Sequence, residues 1–144
     1  MNILVSACLL GVDCRYSAVP APSPEVTALR ERHVLIPVCP EQLGGLPTPR
    51  EPAELRDGGV FSKSGRDVTG AFRRGAEQTL LLARLCGCRC AVLKERSPSC
   101  GCGRIYDGSF TGTLTDGDGV TAGLLKANGI AVCGESALAL LPEK

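Results

Sequence analysis

The chain has 144 residues, a formal net charge of +1, 44% hydrophobic residues and 3% aromatic residues, with no tryptophan. Its lysines and arginines are dispersed among acids, so it lacks the dense basic face and the stacking aromatics that hold nucleic acid, and a small-molecule partner is favoured over a polymer. Nine cysteines accompany a single histidine, His33; an odd number leaves at least one thiol outside any intramolecular disulfide scheme, and a chain of this size needs no disulfide staples. Met1-Asn2-Ile3-Leu4-Val5 lacks the basic stretch and longer apolar run of a secretory signal, and no segment is long enough to span a bilayer. The expectation is one domain over residues 1–144 in the cytoplasm, where cysteines serve metal binding, catalysis or packing.

In chain order, residues 2–7 form the first strand candidate, followed by a glycine- and proline-punctuated loop from Gly11 to Pro24. Ser23-Pro24-Glu25 opens a helix that runs to about His33, with serine as cap and proline at the first helical position. Residues 34–38 form the second strand candidate. The segment from Cys39 to Arg50 is too rich in glycine and proline for a regular element and is expected as a long ordered loop. Residues 51–66 are mixed, with a short strand around Gly59-Val60-Phe61.

Asp67 opens the clearest helix: Val68, Phe72, Ala76, Thr79, Leu80 and Ala83 recur near helical spacing up to Gly87. Residues 89–94 form the third strand candidate, and Arg96 to Gly103 a breaker-rich loop. Asp107-Gly108 is a turn that could join two short strands. A helix from about Val120 to Asn128 is capped by Gly129, the last strand is Ile130 to Cys133, and a short helix from Ser136 to Leu141 closes the chain. Strands alternating with helices predict an α/β fold, three-layered and Rossmann-like, with a mainly parallel sheet flanked by helices.

Cys8, Cys39 and Cys100 each lie just past an apolar strand. In a parallel sheet those positions share one edge, where open α/β proteins build their sites, and three thiolates there suit an iron-sulfur cluster or another soft metal centre. Each is followed by glycine or proline that keeps the backbone irregular, as a ligand loop requires. Three thiolates could hold a cubane cluster with one iron left open. Zinc is the competing metal, but His33 precedes the second strand, at the wrong edge for a ligand.

Cys86, Cys88 and Cys90 fall at the opposite edge and are expected as small buried hydrophobes, with alternation placing Cys88 and Cys90 on one strand face. Cys133 is expected in the core. Cys14 and Cys102 are undecided between structural and functional roles. Glu41, two positions after Cys39, and Ser97, three before Cys100, reach beside a cluster: a carboxylate in a dry pocket can act as acid or base and a hydroxyl can relay a proton. Taken singly, each would sooner be a helix-start carboxylate or a turn-stabilising hydroxyl. Arg15 and Arg50 are candidates for orienting a polar ligand, with surface solvation the slightly preferred reading, and Asp116 to Thr121 for binding an anion on helix amides, though capping and turn formation explain that run more simply.

Taken together, Ser6-Ala7-Cys8-Leu9-Leu10-Gly11, Cys14-Arg15-Tyr16, the segment from Pro37 to Arg50, Ser97-Pro98-Ser99-Cys100-Gly101 and Asp116-Gly117-Asp118-Gly119-Val120-Thr121 resemble the thiouracil desulfurase family. The resemblance spans nearly the whole chain and is most specific from Cys39 to Arg50. It implies an oxygen-sensitive 4Fe-4S cluster on Cys8, Cys39 and Cys100, with Glu41 and Ser97 catalytic. It implies non-redox removal of sulfur from thiolated uracil bases, such as 2-thiouracil or 4-thiouracil/thiouridine, with sulfide release. Glu41 would activate the water that attacks the ring carbon, and Ser97 would assist proton transfer. A sulfur-transfer or trafficking protein and a non-enzymatic metal or redox module are the alternative readings.

Overall fold

A computed structural model describes residues 1–142. Its elements are β1 (Asn2–Ser6), α1 (Pro24–Ala28), β2 (Val34–Val38), α2 (Pro40–Leu43), β3 (Ala53–Arg56), β4 (Gly59–Ser62), α3 (Thr69–Leu85), β5 (Cys90–Leu93), β6 (Arg104–Tyr106), β7 (Leu114–Asp116), α4 (Val120–Ala127) and β8 (Ala131–Gly134). Short 3-10 turns follow β1 at Ala7–Leu10, extend α1 at Leu29–Glu31, and lie near the C-terminus at Leu138–Leu140.

Four strands form one sheet in the order β2-β1-β5-β8, every pair parallel. The central strands β1 and β5 read as continuous apolar runs because both of their faces are covered. Ile3, Val5, Cys90 and Val92 point to one face and pack with Val26 of α1; Leu4, Ala91 and Leu93 point to the other and pack with Ala83 of α3 and Ala122 and Leu125 of α4. This is the three-layer arrangement expected from the alternating elements. The chain steps from β1 outward to β2 and then returns past β1 to β5. That reversal puts the crossover helices on opposite faces and opens a crevice between the carboxyl ends of β1 and β5.

Two antiparallel hairpins, β3–β4 and β6–β7, are inserted into this frame. The first is joined by Asp57-Gly58 at φ +50° and +77°, the left-handed pair that a two-residue hairpin turn requires.

Several elements differ from expectation, among them the C-terminal helix, which is only the 3-10 turn Leu138–Leu140. The Cys39–Arg50 segment is not loop throughout: Cys39 is the extended cap of α2, Pro40 sits in its first turn and Glu41 supplies the acid favoured there. The helix expected to run to His33 holds only five residues before tightening to 3-10, although Ser23 does cap it, its Oγ accepting the Val26 N–H at 3.3 Å. Cys88 and Cys90 pack on opposite faces of the sheet, because the strand begins only at Cys90 and Cys88 belongs to the turn before it.

The helix α2 lies on α3 with almost no gap. A methyl added at Gly75 would come within 1.8 Å of the Pro40 carbonyl oxygen, and one at Gly44 within 2.0 Å of the Ala71 oxygen. Backbone meets backbone here, so no side chain can yield. Gly75→Ala is therefore expected to push α2 off α3 and destabilise the protein by about 1–3 kcal/mol, measured as a lower thermal midpoint; unchanged melting would show that this contact is not needed.

Candidate active site

The carboxyl ends of β2, β1 and β5 deliver Cys39, Cys8 and Cys100 to one cavity of about 480 Å3. Cys8 is carried by the 3-10 turn directly after β1, Cys39 caps α2 directly after β2, and Cys100 lies in the loop after β5. Cys14 also lines the cavity and is buried. The Cys39 thiol donates to the Cys14 carbonyl oxygen at 3.6 Å, and the Cys14 thiol acts on those of both Cys8 and Cys39.

The crowding of these thiols sets the proton inventory. Cys8 is lowered below the ordinary thiol value chiefly by the neighbouring Cys14 thiol, against burial. For Cys14, the bond from Cys39 acts downward, but donation to Cys8 and burial outweigh it and push the thiol up to about 11. Donation to Cys14 and burial raise Cys39 well above the thiol range. Burial pushes Cys100 up to about 11, with the Ser6 and Ser99 hydroxyls acting the other way. Loading a metal centre here therefore releases protons.

Among the described residues, no three His, Cys, Asp or Glu side chains close on a point that a single metal ion would occupy. Cys8, Cys14, Cys39 and Cys100 instead line one cavity. Soft donors spread around a space larger than one ion fit a cluster.

Glu41 forms the adjoining wall. Its Oε1 accepts from Arg50 Nε at 3.0 Å, with the Arg50 and Glu41 side chains only 7% and 16% exposed. Its Oε2 lies 3.3 Å from Ser99 Oγ, whose single proton is shared between this carboxylate and Cys100 Sγ at 3.4 Å. Arg50 lines the cavity and is not a solvated surface residue: its remaining nitrogens donate to the Pro47 carbonyl at 2.9 Å, Thr48 Oγ1 at 3.0 Å and the Cys14 carbonyl at 2.9 Å. It ties Glu41 to the Cys14 loop. Arg15 lines the cavity, with its guanidinium 5.8 Å from the Tyr16 ring centroid.

Ser97 Oγ accepts the amides of Ser99 at 3.2 Å and Cys100 at 3.1 Å, the turn-stabilising arrangement weighed from sequence. It also lies 3.2 Å from Ser99 Oγ. With its acceptor sites used by two amides, the Ser97 hydroxyl is placed to donate to Ser99. The order of groups is thus Ser97, Ser99, Glu41, and the buried Ser99 is the member touching the carboxylate. Sequence reasoning put only Ser97 in this role. Ser6, Cys14 and Lys94 likewise line the cavity; Lys94 Nζ is held at 2.8 Å by Glu135.

The amides that begin α4 are taken by the Cys100 loop and are closed to an anion: Val120 N–H donates to the Pro98 carbonyl at 2.9 Å and Thr121 N–H to the Ser99 carbonyl at 2.8 Å. The Asp116–Thr121 run thereby anchors that loop. Cys102 turns away, its thiol 3.5 Å from the Val132 carbonyl, and Cys133 is buried in the core. His33 meets the Met1 amino group at 3.1 Å at the far edge of the sheet.

The molecule is thus an α/β protein with a thiol-rich centre at the topological switch point of a parallel sheet. Residues 3–137 match the family model described as 2-thiouracil desulfurase, and the chain belongs to that family. A solved structure titled 4Fe-4S-dependent thiouracil desulfidase TudS is 48% identical and superposes with a TM-score of 0.87, covering 96% of this chain and 93% of its own. An uncharacterized protein of Bacillus subtilis (strain 168), YbbK, is 43% identical over 146 residues, 94% of this chain and 97% of its own length.

Proposed function

We propose that the protein removes sulfur from thiolated uracil bases with the aid of a 4Fe-4S cluster held by Cys8, Cys39 and Cys100, without net oxidation or reduction. The observation that carries this reading is the delivery of those three thiols, from three adjacent strand ends, to a cavity whose wall is a carboxylate hydrogen-bonded to serine. The cluster, once bound, supplies an iron free of protein ligands that acts as a Lewis acid toward the soft sulfur of the ring.

The chain's residues do the rest. Glu41, fixed by Arg50, takes a proton from the water that attacks the ring carbon. Ser99 and Ser97 lie in line with Glu41 to carry protons between it and the ring as the carbon–sulfur bond breaks. Water and thiouracil go in and uracil and hydrogen sulfide come out, so no electron donor is required. The substrate class is a small thiolated pyrimidine. The nine free cysteines suit a reducing cytoplasm, and among the described residues no helix is long and apolar enough to cross a membrane.

Protein reconstituted anaerobically with iron and sulfide is expected to release one sulfide per uracil formed from 2-thiouracil or 4-thiouracil without added reductant. A fully loaded protein that releases none from any thiolated pyrimidine would overturn the enzymatic reading.

A further inference from the structure

The chain holds three phenylalanines and two tyrosines. Of these, Tyr16, Tyr106 and Phe110 line the cavity that also holds the thiols. Phe110 stands out by its backbone: its φ is +58°, an outlier for a bulky side chain, and such conformations persist only where the surroundings over-determine them.

The surroundings do so here. Glu54 of β3 reaches across to the loop between β6 and β7, and its Oε1 accepts the Gly108 N–H at 3.0 Å and the Phe110 N–H at 3.1 Å. The loop is closed by the Asp107 N–H donating to the Thr113 carbonyl at 3.0 Å. A side-chain ladder stiffens it further, with Ser109 Oγ 2.6 Å from Thr111 Oγ1 and Thr111 Oγ1 2.8 Å from Thr113 Oγ1. This bonding fixes a residue that the core does not hold: Phe110 is half-buried and belongs to neither hydrophobic core cluster. A strained residue tied down on the lining of a reactive cavity is placed to meet a ligand.

We propose that Phe110 is the stacking wall for the planar pyrimidine ring, and that Glu54 is the positioning residue that sets the Phe110 backbone. The proposal rests on the reading of the substrate as a thiolated pyrimidine. Aromatic stacking accepts any planar ring, so Phe110 orients the base and leaves the discrimination of sulfur to the thiol-lined end of the cavity. Such a contact is made equally in the ground and transition states and should appear in KM more than in kcat.

The test uses the cluster-loaded enzyme and four variants. Phe110→Leu keeps an apolar side chain but removes the aromatic face; KM for 2-thiouracil should rise about tenfold with kcat within about twofold. Phe110→Trp keeps the face and should hold KM within about threefold of the parent. Glu54→Ala should raise KM in the same direction as Phe110→Leu, while Glu54→Gln, which retains an acceptor oxygen, should restore it. Because the chain has no other tryptophan, Phe110→Trp also reports binding directly: uracil, which does not react, should quench its fluorescence when the indole is excited at its long-wavelength edge.

Parent-like KM in Phe110→Leu, or indole emission unmoved by saturating uracil, overturns the proposal while sulfide release by the parent enzyme leaves the desulfurase reading intact. If Leu and Trp at 110 are equally impaired, the ring is structural and the proposal also falls. If the parent releases no sulfide, the desulfurase reading fails by itself, and the fluorescence titration with uracil still decides whether Phe110 stacks on a pyrimidine.

Discussion

Cys39→Ala, Cys8→Ala and Cys100→Ala are each expected to yield a folded protein that holds no stable cluster and releases no sulfide. The three thiols arrive from different loops, so each supplies a direction of approach that the other two cannot. Alanine is chosen because it removes the ligand atom while leaving little empty space, and burial of Cys8 and Cys100 makes a polar replacement less informative. Cys14 sharpens the test. It is buried on the same cavity, yet shares a loop with Cys8 and adds no new direction of approach. Cys14→Ala should therefore keep the cluster, with affinity weakened about 10- to 100-fold as for a group that supports a ligand. Cys88→Ala, in the far core, should keep it unchanged. Iron and sulfide content together with visible absorbance measure all five variants, and normal iron in any of the first three would remove that residue from the ligand set.

The sheet was readable in the amino-acid sequence because its central strands are apolar on both faces. Leu4-Val5 and Ala91-Val92-Leu93 admit few other interpretations, and the long period of α3 fixes the crossover between them. The hairpins were less legible. Asp57-Gly58 is a strong turn signal, but the flanking Ala53-Glu54-Leu55-Arg56 and Gly59-Val60-Phe61-Ser62 are four-residue strands with partly buried faces, so alternation had too few positions to register. The same brevity hid α2, whose four residues sit inside a run of glycine and proline.

The site divides along a similar line. That Cys8, Cys39 and Cys100 share an edge follows from topology alone, once the strands are parallel. Which serine touches Glu41 does not. Ser97 and Ser99 have the same chemistry two positions apart, and only the turn decides that Ser97 spends its lone pairs on two amides while Ser99 turns toward the carboxylate. Arg50 was legible as a cation in a functional loop. That its acceptors are Glu41, Thr48 and the Pro47 and Cys14 carbonyls depends on how residues far apart in the chain fold against each other.

Glu41→Gln is expected to keep the cluster and lower kcat by about 10²- to 10⁴-fold. The amide preserves the shape of the side chain and can still accept from Ser99, but it cannot take a proton from water. The substitution also leaves Arg50 without its carboxylate. Breaking a buried pair costs about 3–5 kcal/mol when the remaining charge is stranded, but Arg50 keeps three other acceptors, so the cost should fall below that range and the fold should survive. Two comparisons separate chemistry from damage. Arg50→Lys retains a cation beside Glu41 but loses the fork that holds the Cys14 loop; it should lower stability more than Glu41→Gln while keeping more activity. Ser99→Ala removes one member of the proton path and should cost less than Glu41→Gln, since water can enter where the hydroxyl stood. Single-turnover sulfide release normalised to iron content gives the chemical step, and thermal unfolding gives the fold. Parent-like turnover in Glu41→Gln would take the carboxylate out of the reaction. A loss of turnover that tracked the loss of stability across all three variants would make Glu41 a support for the loops instead of a base.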